Sequence, residues 1–125
     1  MKPLFSSNAP QPIGPYSQGV ESGNFVFCSG QIAIVPESGK LIDGDARAQT
    51  EQVLRNLGEV LKSGGLSHAD VVKTTIFLID MNDFPAVNAA YVNAFGETKP
   101  ARSTVAVAGL PMGARVEIDA IAMRR

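Results

Sequence analysis

The chain has 125 residues, 45% of them hydrophobic and 18% charged, with a net charge of −1. That length suits one domain, residues 1–125, with a buried core. The balanced charge gives no electrostatic footprint for nucleic acid or an anionic membrane surface.

A lone cysteine, Cys28, excludes an internal disulfide, and with a lone histidine, His68, it cannot assemble a zinc site. Neither a metal nor a cofactor is expected. No run is long enough to span a bilayer, and Met1–Ser6 lacks the apolar core of a signal peptide, so a cytoplasmic location is expected.

In chain order, a short strand is predicted near Pro3–Phe5. The prolines from Asn8 to Pro15 read as an extended arm. Tyr16–Val20 is predicted as a strand, Glu21–Asn24 as a hairpin turn, and Phe25–Ile32 as the return strand. Pro36–Lys40 makes another turn. From Ala46 to Ser63 the apolar residues Val53, Leu54, Leu57, Val60 and Leu61 form one helical stripe, capped by Asp45 and stopped by Gly64-Gly65. Ser67–Asp70 is a helical turn. Val71–Ile79 reads as a central strand covered on both faces. A second helix is predicted from an Asn82 cap to Phe95, with Pro85 in its first turn and Gly96 at its end. Strands at Ser103–Ala108 and Arg115–Met123 close the chain. The order β-β-β-α-β-α-β-β gives an α+β sheet with two helices on one face. Thr104, Ala106, Ile121 and Met123 are expected to make the other face apolar, so the sheet calls for a partner, most simply another copy of this chain.

Among reactive residues, Arg102 stands out. Pro100 moves Lys99 out of the helical region and starts a strand with a guanidinium at its head, a geometry suited to gripping a small carboxylate. Glu117, the lone acid in the apolar run Val116–Ile118, is expected on the neighbouring strand, where it could hold a water. The same pair could instead form a structural ion pair or face solvent. His68 beside Asp70 reads as a satisfied surface histidine, and Cys28 as buried and inert. Tyr16 after the Gly14-Pro15 corner, Ser29-Gly30 and Asn88 are weak signals singly.

Together these segments closely resemble the RidA (YjgF) family of reactive-intermediate/imine deaminases. The resemblance rests on Pro100-Ala101-Arg102-Ser103, Val105, Val107-Ala108 and Leu110-Pro111, then Val116-Glu117-Ile118 and Ala120-Ile121-Ala122. Ala9-Pro10, Ile13–Gly19, Ser29–Ile32, Val72–Thr75, Asp83-Phe84, Val87–Ala89 and Tyr91 agree with it. It implies a chorismate-mutase-like fold and a homotrimer whose sheets form a barrel, with sites between subunits. It also implies hydrolysis of 2-iminobutanoate and 2-iminopropanoate, formed downstream of pyridoxal-phosphate-dependent dehydratases, to 2-keto acids and ammonia.

On that resemblance Arg102 binds the substrate carboxylate and Glu117 orients the water. Tyr16, Ser29, Gly30, Asn88 and Thr104 line the cleft, with Tyr16 placed beside the catalytic pair. Thr104 stands where many members carry cysteine, and Ala106 and Gly109 stand where some carry charge. A non-catalytic 2-keto acid sensor, or an RNA-cleaving translation inhibitor as reported for some relatives, are the competing readings. Small 2-imino and 2-keto acids are the expected ligands.

Overall fold

The computed structural model describes residues 1–125. Its main sheet contains β1 (Lys2–Leu4), β2 (Gly19–Ser22), β3 (Phe25–Gln31), β6 (Val71–Leu78), β7 (Ala101–Ala106) and β8 (Val116–Met123), in the order β1-β2-β3-β8-β6-β7. A separate hairpin, β4 (Ile34–Val35) with β5 (Lys40–Leu41), occupies the predicted turn region. Helices α1 (Ala46–Ser63) and α2 (Phe84–Phe95) cover one face. No helix is long and apolar enough to cross a membrane.

Helix α1 has the predicted bounds. The Asp45 carboxylate accepts from the Ala48 amide, and the Gly64 amide donates back to the Leu61 carbonyl. Its stripe of Val53, Leu57, Val60 and Leu61 is fully buried, with Val26, Ile76, Leu78, Val116 and Ile118 of the sheet among the same core cluster. Each such side chain contributes about 1.5–3 kcal/mol of transfer free energy. Two buried amides fix the loops around this core. Asn56 donates to the carbonyls of Ile32 (3.2 Å) and Ile34 (2.9 Å), holding the end of β3 on α1. Gln18 accepts from the Ser6 amide and donates to the Ser6 and Pro10 carbonyls, which pins the proline-rich arm.

Three expectations are corrected. Tyr16 is not in a strand: β2 begins at Gly19, and Tyr16 lies on the arm, its amide bonded to the Gly14 carbonyl. Asn82 does not cap α2. Asp80 accepts from the Asn82 amide in a separate turn, and the residue preceding α2, Asp83, makes a two-pronged pair with Arg115 instead of a cap bond. Lys99, as expected, leaves the helical region, at φ +45°. Finally, β6 has neighbours on both edges, but its open face is only partly covered within one chain, with Val72 exposed.

The alternation of burial along β8 separates the two faces. Val116, Ile118, Ala120 and Ala122 are buried toward the helices, whereas Glu117, Asp119, Ile121 and Met123 lie on the open side. Registers with β3 and β6 add Phe25, Phe27 and Phe77 to that side. Thr104 pairs with buried Ile76 and Ala106 with buried Leu78, so both point to the helix side, and Val105 is the exposed apolar residue that β7 gives to the open face. The apolar open face is therefore present, but with different residues from β7.

Candidate functional site

The first group of predicted residues gathers around β7. This strand runs parallel to β6, with α2 as the crossover, and Arg102 pairs with Thr74 in register. Thr74 is fully buried, so Arg102 projects toward α2. There Phe84, Asn88 and Tyr91 stand at helical spacing on one side of the helix. The Asn88 side-chain oxygen accepts from Arg102 Nη1 at 2.8 Å. The guanidinium lies over the rings of Phe84 and Tyr91, 5.4 and 5.0 Å from their centroids. Tyr91 is itself locked by a 2.7 Å hydrogen bond between its hydroxyl and that of Thr74.

Arg102 is thus held by one amide and two ring faces and makes no ion pair, which leaves most of its N–H fork open. A cavity of about 330 Å³ opens beside it, lined by Asn88, Tyr91, Val92, Phe95, Gly96, Lys99 and Arg102. Thr104, two residues further on the same side of β7, has a buried hydroxyl with no hydrogen-bond partner.

The second group lies across the sheet. Glu117 occupies the open face opposite Phe77. A bulge between Cys28 and Gln31 breaks the β3–β8 register and carries Ser29 and Gly30. Gly30 is needed where it stands, because a Cβ there would sit 2.6 Å from Glu117 Oε2. Tyr16, Gly30 and Glu117 line one pocket of about 300 Å³, walled by Ile13, Ile32 and Pro111. Ser29 works as a strut for this pocket: its hydroxyl donates to the Ser17 carbonyl at 2.5 Å and its amide to the Gln18 carbonyl, which fixes the chain just after Tyr16. Burial, and secondarily the charge of Asp119, holds the Glu117 carboxyl above the ordinary carboxylate range.

Within one chain, then, the two groups do not meet. Strand β6 lies between β7 and β8, and the registers set Arg102 level with Ala120 rather than Glu117, so Arg102 and Glu117 are two strand spacings and three residues apart, roughly 14 Å, and they point to opposite faces. The expected neighbouring strands and the alternative ion pair are both ruled out. The other sequence candidates are inert. Burial, then Asp119, pushes the Cys28 thiol up to about 12. His68 is half-buried, with Nε2 2.9 Å from the Leu54 carbonyl and its ring edge-on to Phe95. The sequence reading missed Phe84 and Tyr91, although their spacing with Asn88 on α2 was a usable signal. It also missed Asp119, two residues from Glu117 on the same face.

A family model described as Endoribonuclease L-PSP matches residues 6–124. A RutC family protein of Pyrococcus horikoshii is 50% identical over 121 residues, covering 97% of this chain and 96% of the relative. The 2-iminobutanoate/2-iminopropanoate deaminase of Escherichia coli K12 is 47% identical over 127 residues, covering 99% and 98%. Among solved structures, a putative endoribonuclease of Thermotoga maritima superposes with a TM-score of 0.98 at 48% identity, covering 100% of this chain and 98% of that one.

Proposed function

Because the chain belongs to the Endoribonuclease L-PSP family, which is the RidA (YjgF) family, we propose that it hydrolyses 2-iminobutanoate and 2-iminopropanoate to the 2-keto acids and ammonia. The single observation that carries the mechanism is the guanidinium of Arg102, oriented by Asn88 and two aromatic rings and left without an anionic partner. That fork suits the carboxylate common to these substrates. Asn88 on this reading positions Arg102 rather than touching substrate.

The second half of the chemistry comes from an adjacent copy. The helix side of β7 in one copy faces the pocket of Tyr16, Gly30 and Glu117 in the next, and the apolar open faces pack together in a closed ring of three. Exposed Phe25, Phe27, Val105 and Met123 supply the area such packing would cover.

With the carboxylate fixed on Arg102, a water beside Glu117 adds through its oxygen to the imine carbon, and Glu117 takes the water's proton. The carboxyl then returns that proton to nitrogen, and as the C–N bond breaks and ammonia leaves, the Glu117 carboxylate takes the hydroxyl proton to leave the ketone and passes it on to ammonia or water. The iminium carbon is already electrophilic, so orientation and one base of raised basicity suffice. On this reading Tyr16 hydrogen-bonds the departing nitrogen, and Thr104, on the Arg102 side, serves the cleft through its main chain.

The test is a dehydratase-coupled assay of imine loss. Wild type is expected to accelerate it, and Glu117→Gln to lower kcat about 100-fold while the protein stays assembled. Absence of acceleration by folded, assembled wild type rejects the proposal. Binding of 2-ketobutanoate without turnover would make the protein a sensor instead.

A further inference from the structure

Glu117 does not stand alone on the open face. Asp119 follows it on the same side of β8, and the β6 register sets Glu117 opposite Phe77 and Asp119 opposite Thr75. Successive same-face residues of a strand are about 7 Å apart. Both acids are half-buried, and Asp119 takes part in none of the chain's three ion pairs. Thr75 opposite Asp119 is polar, and the rest of the face beside the two acids is apolar: Phe77 opposite Glu117, then Ile121 and its partner Phe27.

Resting on the function proposed above, we propose that Asp119 is a positioning residue for the reaction, a second carboxylate that acts through Glu117 and keeps it a strong base. The charged and titratable groups that share this face are few. Tyr16 closes the pocket from the arm. Lys73 on β6 is opposite Ile121, beyond Asp119 as seen from Glu117, and makes no ion pair. Arg115, two residues before Glu117, is paired with Asp83, so Asp119 is the nearest unpaired charge to Glu117 along the strand. The Asp119 charge at that distance, with water partly excluded, disfavours ionisation of Glu117. The effect strengthens when another copy covers the face, because the local dielectric falls.

The pH dependence has a definite sign. A base must be unprotonated to act, so raising the Glu117 pKa moves the acid limb of the rate profile to higher pH and makes the ionised carboxylate more basic. Removing the Asp119 charge reverses both. In Asp119→Asn the acid-limb midpoint of kcat is expected to fall by about half to one pH unit. The plateau kcat is expected to drop roughly twofold to threefold as basicity is lost. KM should stay within about twofold, since the substrate carboxylate is held by Arg102 and by neither acid, and Asp119→Glu should restore both midpoint and plateau.

The Glu117 carboxyl should also be titrated by carbon NMR in wild type and Asp119→Asn, a readout that needs no turnover. An unmoved or raised Glu117 midpoint, or a loss confined to KM, overturns the inference. If wild type hydrolyses no imine, the functional reading falls separately, while the NMR midpoint still decides whether Asp119 governs Glu117.

Discussion

Arg102→Ala is expected to lower kcat/KM roughly 100- to 1000-fold, about 3–4 kcal/mol of binding to the carboxylate, with most of the loss in KM. The guanidinium holds the carboxylate and takes no part in the proton transfers at the neighbouring imine carbon, so its loss removes the anchor and leaves the base untouched. Stability should change little. Arg102 is exposed, and what it gives the fold is one hydrogen bond to Asn88 and two ring contacts, about 1 kcal/mol or less. Arg102→Lys should recover only part of the binding, because a point charge cannot make the paired N–H contacts or lie flat on Phe84 and Tyr91. Steady-state kinetics beside a thermal melt separate these effects. A variant that retains wild-type KM would show that the carboxylate is bound elsewhere.

Gly30→Ala is expected to have an equally large effect with the opposite signature. Gly30 has no need of positive φ, so its backbone accepts alanine. The obstacle is the Glu117 side chain, whose Oε2, Cδ and Cγ lie 2.6, 2.9 and 3.1 Å from the new Cβ. The half-buried carboxylate can swing aside, so folding should suffer by no more than about 1 kcal/mol. A base displaced by an ångström loses about 100-fold in rate. The expected result is a kcat down by that factor, KM nearly unchanged, and no further loss when Gly30→Ala is added to Glu117→Gln. Additive losses in the double variant would mean that Gly30 serves something other than the placement of Glu117.

Much of this was legible in the chain because it is local. The α1 stripe, its Asp45 cap and the glycines that end it depend on residues within a few positions of one another, and the structure reproduces them. Arg102 at the head of a strand after Pro100 was equally readable. Strand order was not. β8 inserts between β3 and β6, and β6 between β8 and β7, because α2 returns the chain parallel to β6 and only distant contacts decide which edge β7 takes. Consecutive strands in sequence were therefore read as neighbours in space, and the side each acid or base faces was lost with them. Asp83 shows the same limit on a smaller scale. By composition it suits a helix start, but Arg115, 32 residues away, takes both its oxygens. Tyr16 was read as the start of the strand that runs to Val20, whereas the buried amide of Gln18 ties the arm down and leaves Tyr16 at the pocket wall.

The separation of Arg102 from Glu117 by the thickness of the sheet has a genetic consequence. When each cleft borrows one half from each of two molecules, a chain broken at Arg102 still carries a sound Glu117 half, and a chain broken at Glu117 still carries a sound Arg102 half. Two null alleles of these kinds, expressed in one cell or reassembled from an equal mixture, should complement each other, with about a quarter of the clefts in randomly mixed rings intact. Two alleles broken in the same half should not.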